Sequence, residues 1–118
     1  MFYQFKEQMP NPNFEGVTDV TPQEVNANTA QLFLVDVREE HEYTGELGHA
    51  AQTKLIILST IPEKLATLPR DKTIVFLCRS GGRSAQATAF AQQEGFTNVY
   101  NMRGGMLLWN QLSLPVET

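Results

Sequence analysis

Two runs in this chain are apolar almost without interruption: Leu32-Phe33-Leu34-Val35-Asp36-Val37 and Thr73-Ile74-Val75-Phe76-Leu77. A strand with one wet face alternates apolar and polar residues. A nearly continuous run belongs instead to a strand covered on both faces, as in a parallel sheet between two layers of helices. The segments around the runs fit that plan. Val17-Thr18-Asp19-Val20 reads as a short edge strand. Thr21-Pro22-Gln23-Glu24 opens a helix with Thr as N-cap, Pro in the first helical position and Glu three residues after the cap. That helix is expected to run to about Asn28. Glu39 to Tyr43 reads as one or two helical turns stopped by Gly45, and Lys54 to Leu58 as a second buried strand. Ser59 or Thr60 caps the next helix, through Pro62-Glu63-Lys64-Leu65. A helix over Ala85 to Glu94 ends at Gly95, a suitable C′ residue, with Phe96 placed to pack back on it. Asn98-Val99-Tyr100 is a last strand, Arg103-Gly104-Gly105 a tight loop, and Met106 to Leu112 a final helix carrying Trp109. Strands that alternate with helices in this way predict an α/β layer fold. Residues 1–16, with four aromatics, two prolines and a glycine, read as an irregular N-terminal arm whose aromatics cover a groove or, the reading preferred, pad an edge of a domain over residues 17–118.

Length and composition narrow the function classes. A chain of 118 residues builds one core and not two. With 42% apolar and 19% charged residues it is an ordinary globular composition. A net charge of −4 argues against a general nucleic-acid binder, whose footprint is basic. The longest wholly apolar runs, such as Leu55 to Leu58, are too short to span a bilayer. The first residues, MFYQFKEQMP, lack the basic and apolar regions of a secretory signal. A single cysteine forms no intramolecular disulfide and suits a reducing compartment. The expectation is a cytoplasmic monomer with neither nucleic-acid nor membrane partners. No cluster of His, Cys and carboxylates has metal-ligand spacing, so neither a metal nor an organic cofactor is implied.

The chemistry is expected at the end of the second apolar run, where the chain continues Cys78-Arg79-Ser80-Gly81-Gly82-Arg83-Ser84 before the helix. The first N–H groups of a helix lack intrahelical partners and carry the positive end of its dipole. A loop curled over that end makes an anion-binding nest. A cysteine at its rim is drawn toward thiolate, the nucleophilic form. Gly81 and Gly82 permit backbone angles that other residues resist. Arg79 and Arg83 add positive charge. In parallel sheets ligands bind at the carboxyl ends of the strands, which is where Cys78 lies. A lone cysteine is more often a buried small hydrophobe than a nucleophile; the loop is what favours the reactive reading.

Four stretches together resemble a single-domain rhodanese. They are Leu34-Val35-Asp36-Val37-Arg38-Glu39, Glu42-Tyr43 with Gly48-His49-Ala50, the cysteine loop, and Arg103-Gly104-Gly105 with Trp109 and Pro115. The resemblance implies a roughly five-stranded, mostly parallel sheet with helices on both faces. It implies that Cys78 takes a sulfane sulfur from a small anionic donor such as thiosulfate and holds it as a persulfide. Cyanide, a thiol or a protein thiol then removes it. Carried over by position, the N–H groups of Arg79, Ser80, Gly81, Gly82, Arg83 and Ser84 cradle the anionic sulfur. Arg79 and Arg83 orient the donor, and Ser84 caps the following helix or hydrogen-bonds the persulfide. Asp36, Arg38, His49, Gly104, Gly105 and Trp109 fall in the structural role. The chain departs from the pattern after His49, where the family has an apolar residue, Pro, Gly and Ala. Here the run is Ala50-Ala51-Gln52-Thr53, so any gating role of that loop is not carried over. Two other classes remain. A cysteine-dependent phosphatase or arsenate reductase uses a similar loop, but its closing arginine comes one residue later, where this chain has Ser84. A protein-binding or sulfur-relay module would show little activity on small molecules.

Overall fold

A computed structural model describes residues 2–118; Met1, the first residue of the arm, lies outside the described residues. In chain order the strands are β1 (Met9–Pro10), β2 (Thr18–Val20), β3 (Leu32–Asp36), β4 (Thr53–Leu55), β5 (Thr73–Leu77) and β6 (Val99–Met102). The helices are α1 (Pro22–Ala27), α2 (Glu40–Tyr43), α3 (Ile61–Lys64), α4 (Gly82–Gln93) and α5 (Gly105–Gln111). The strands form one sheet in the order β1-β2-β6-β5-β3-β4. Every pairing is parallel except that of β1 with β2. The sheet therefore has six strands where about five were expected. The arm supplies the extra one, so β2 is not an edge. Pro10, which has no N–H to give a ladder, sits at that new edge, where it costs nothing.

The two apolar runs occupy the middle of the sheet, side by side, with Leu34 opposite Val75 and Asp36 opposite Leu77. Their alternate residues feed different layers, as the period-2 geometry of a strand requires. Val35, Ile74 and Phe76 meet Ile61 of α3 and Ala87 and Ala91 of α4. Leu34, Val75 and Leu77 meet Val25 of α1 and Met106 and Trp109 of α5. Phe5 of the arm joins this second layer, 5% exposed, with Tyr3 edge-on to its ring and Tyr100 beside it. The padding expected of the arm's aromatics is thus partly core. Phe2 stays 39% exposed.

Local signals fared unevenly. Thr21 caps α1, its Oγ1 accepting from the N–H of Glu24 at 3.2 Å. Gly95, at φ +94°, closes α4 and lets the Phe96 N–H reach the Ala91 carbonyl at 3.0 Å. The fourth strand is shorter than read, because Leu58 to Thr60 form a 3₁₀ turn that runs straight into α3. Thr60 holds the cap position, but its backbone is already helical and its hydroxyl donates to the Ile57 carbonyl instead. The last strand runs two residues beyond the Tyr100 expected.

After His49 the chain keeps a glycine-like conformation without a glycine: Gln52 takes φ +66° and is exposed. A side chain in the left-handed region costs roughly 1–2 kcal/mol. Gln52→Gly is expected to raise stability by about 0.5 kcal/mol, the relief exceeding the extra freedom glycine gives the unfolded chain. A urea midpoint at or below that of the wild type would show the turn to be unstrained.

Candidate active site

β5 delivers Cys78 to the carboxyl edge of the sheet, and α4 begins four residues later at Gly82. Helix therefore starts three residues before the Ala85 expected, so that Gly82, Arg83 and Ser84 form its first turn. Gly81 is the N-cap at φ +106°, a conformation glycine reaches without strain. Its N–H points at Cys78 Sγ, 3.1 Å away. The thiol is free and 1% exposed.

The carbonyls on the loop are turned the other way. Those of Cys78 and Arg79 accept the N–H groups of Met106 and Leu107 at 2.8 and 2.9 Å, from the first turn of α5. That contact explains the second glycine pair. Gly105 lies so close to the loop that a Cβ there would come within 2.5 Å of the Cys78 and Arg79 carbonyl oxygens. Gly104 starts α5 at φ +79°. With the Cys78 and Arg79 carbonyls held by α5 and the dipole of a 12-residue helix beginning at Gly82, the loop presents the Gly81 N–H and positive potential to the sulfur.

The two arginines differ. Arg79 is exposed and, among the described residues, has no carboxylate partner. It lines a cavity of about 180 Å³ with Arg38, His41 and Glu42. Arg83 is committed: its Nη1 and Nη2 donate to Glu42 Oε1 and Oε2 at 2.7 and 2.8 Å, a fork-to-fork pair. Glu42 also accepts the N–H of Glu39 at 3.0 Å. The Arg83 hydrogen bonds hold the Glu42 carboxyl down at about 2, against a smaller opposing effect of burial, and Glu42 in turn holds Arg83 in its charged form. Because the folded value lies below the ordinary one, the pair stabilises the protein above about pH 4.5 and the contribution is lost as pH falls toward 2. Water reaches both side chains, so about 1 kcal/mol is at stake. Glu42→Gln is expected to lower stability by that amount at pH 7, by progressively less below about pH 4.5, and by nothing once pH has fallen to about 2. A gap that stays equal over this range would show that the charge is not what matters.

Ser84 does not cap α4. It sits inside the first turn, fully buried, with Oγ 3.2 Å from Cys78 Sγ and 2.5 Å from Asn101 Oδ1. Asn101 Nδ2 donates to Asp19 Oδ1 at 2.9 Å, and Arg103 Nε to Asp19 Oδ2 at 3.0 Å. Ser80, Gly81 and Gly82 line an open cavity of about 370 Å³ together with Asn11 to Phe14 of the arm.

The remaining motif residues surround this centre. Asp36 and Arg38 form a bidentate ion pair, 0% and 1% exposed, with Nε and Nη2 at 2.9 and 2.8 Å from the carboxylate. Arg38 also donates to the carbonyls of Glu42 and Gly48, tying the end of β3 to α2 and the loop after it. His49 stacks on Tyr43 at 3.7 Å, has Nδ1 at 2.9 Å from the Tyr43 carbonyl and pairs weakly with Glu117 at 3.8 Å. Trp109 lies in the core and donates to the Pro115 carbonyl at 2.9 Å.

Sequence reasoning assembled the cysteine loop and the glycine pair but gave no role to Glu42, Asp19 or Asn101. Glu42 was visible as part of a motif without its partner. Asp19 had no signal beyond being a polar residue in a short edge strand, and Asn101 fell one residue past the last strand as read from the sequence.

Comparison with known proteins agrees with this geometry. The profile of the Rhodanese-like domain matches residues 21–112. A protein of Allochromatium vinosum named sulfurtransferase is 37% identical over 91 residues, covering 76% of this chain and 82% of its own. The thiosulfate sulfurtransferase GlpE of Pseudomonas paraeruginosa is 30% identical over 105 residues, covering 89% and 91%. The crystal structure of a rhodanese-related protein from Thermoplasma volcanium superposes with a TM-score of 0.78 at 31% identity, covering 84% of this chain and 96% of that one.

Proposed function

The chain belongs to the Rhodanese-like domain family, with relatives named as sulfurtransferases, and from that premise we propose that it transfers a sulfane sulfur by way of a persulfide on Cys78. The observation that carries the reading is the Gly81 N–H aimed at Sγ at the start of α4, with the loop carbonyls drawn off by α5. Such a cradle favours negative charge on and beyond the sulfur.

The Cys78 thiolate attacks the outer sulfur of a donor such as thiosulfate. A new S–S bond forms, the donor's S–S bond breaks, and its electron pair leaves with sulfite. Arg79, exposed and without a carboxylate partner among the described residues, meets the anionic donor first. Arg83 keeps its carboxylate partner and holds the first turn of α4 in place. In the second half-reaction cyanide, a thiol or a protein thiol attacks the terminal sulfur, and Cys78 leaves as thiolate. Two covalent half-reactions predict ping-pong kinetics. No helix among the described residues is long and apolar enough to cross a membrane. A lone free thiol suits a reducing compartment, and we place the reaction in the cytoplasm.

Intact-protein mass spectrometry before and after thiosulfate tests this. The wild type is expected to gain the mass of one sulfur, lost again on adding cyanide, and the Cys78→Ser variant to gain nothing. A folded wild type that gains nothing would remove thiosulfate as donor. Persulfidated protein donors, arsenate and aryl phosphates would then be tried in that order.

A further inference from the structure

The buried polar chain behind the cysteine has only one consistent arrangement of protons. The Asp19 carboxylate, 2% exposed, only accepts, and it receives the Asn11 and Asn101 amides on Oδ1 and Arg103 on Oδ2. Asn11 cannot be turned around, because its own Oδ1 takes the N–H groups of Asn13 and Phe14 at 2.9 Å each. Asn101 cannot be turned either, since its oxygen would then face the carboxylate. Asn101 therefore shows Oδ1 to Ser84. The Ser84 hydroxyl has one proton and two neighbours to give it to, the amide oxygen at 2.5 Å and the sulfur at 3.2 Å. The amide oxygen is the nearer and stronger acceptor.

We propose that Asp19 and Asn101 are positioning residues that turn the Ser84 proton away from Cys78, leaving Ser84 Oγ as an acceptor toward the sulfur. When Cys78 carries a proton, its S–H can be given to that oxygen, 3.2 Å away. A persulfide has no proton on its inner sulfur, so Oγ faces it lone pair to lone pair. Its negative charge is left to the backbone N–H groups alone. Ser84 could redirect its proton only by leaving the buried Asn101 oxygen unpaired. The network thus favours the thiol over the persulfide and hastens discharge of the sulfur. This rests on Cys78 being the sulfur carrier.

The test replaces Asn101 by leucine, which removes the amide oxygen and leaves the sulfur as the Ser84 proton's remaining neighbour. Two rates are measured on folded protein, checked by circular dichroism: alkylation of free Cys78 by iodoacetamide at neutral pH, and discharge of the persulfide by cyanide. In Asn101→Leu alkylation is expected to rise and discharge to fall, each by about fivefold, the factor that one ordinary hydrogen bond contributes. Both effects should vanish when Asn101→Leu is placed in a Ser84→Ala background, a result that a merely structural role would not give. Should Asn101→Leu fail to fold, Asp19→Asn releases the amide's orientation and is expected to move both rates in the same directions by less. Unchanged rates, or effects that persist without the Ser84 hydroxyl, would overturn the proposal. So would slower alkylation of Ser84→Ala than of wild type, because the hydroxyl would then be donating to the sulfur. If no donor loads the wild type, the sulfurtransferase reading falls, while the alkylation rates still decide which way the proton points.

Discussion

Cys78→Ser is expected to abolish sulfur transfer and leave the fold unchanged. The two side chains differ by one atom, and the site already offers what a hydroxyl needs. The Gly81 N–H stands 3.1 Å from the sulfur position, and Ser84 and its network stand behind it. A buried serine with partners at hand loses little, so the stability change should stay within about 1 kcal/mol. The chemical change is much larger. A hydroxyl at neutral pH is a weak nucleophile without an adjacent general base, and no oxygen analogue of the persulfide accumulates. His49, the histidine of the motif, is turned to Tyr43 and Glu117 and gives no help. Steady-state assays with thiosulfate and cyanide should fall to background while the thermal melt is retained. Appreciable turnover by the variant would take Cys78 out of the mechanism.

Arg38→Ala is expected to be the most damaging substitution outside the cysteine loop, at about 3–5 kcal/mol. Asp36 is 0% exposed at the end of a central strand, and Arg38 is its countercharge. Removing the guanidinium strands a carboxylate in the core, takes the side-chain donor from the Gly48 carbonyl and leaves the Glu42 carbonyl with backbone donors only, the Gly45 N–H among them. An uncompensated buried charge costs more than the pair itself contributes, because desolvation is no longer offset. Domains of this size are stable by about 5–15 kcal/mol, so the variant should be largely unfolded at 37 °C or melt many degrees early. The loop holding Glu42 would loosen with it, and Arg83 would lose its anchor. Urea unfolding that shows a loss below about 1 kcal/mol would mean that water or a rearranged side chain replaces the arginine.

The parts of the protein that could be read from the sequence are those governed by neighbours along the chain. The two apolar runs define covered parallel strands because burial on both faces leaves no polar positions to alternate with. Thr21-Pro22-Gln23-Glu24 and Gly95-Phe96 mark helix ends, since capping is settled within four or five residues. The cysteine loop and Arg103-Gly104-Gly105 stand out for the same reason, through the backbone freedom their glycines allow.

Tertiary structure decided everything that depends on partners far apart in the chain. Met9 and Pro10 become a strand only because β2 offers a free edge to pair with. Gly105 is required by its own left-handed turn, at φ +58°, and again by the carbonyls of Cys78 and Arg79 packed against it. Arg83 carries the charge expected of it, but Glu42, 41 residues away, takes up that charge. Asp19, Asn101 and Ser84, separated by as many as 82 residues, meet behind the sulfur at the ends of β2 and β6 and the start of α4. Composition and periodicity carry no record of such meetings. A hydrogen bond or ion pair depends on where two chain segments are brought within about 3 Å, and that is set by the packing of the whole sheet.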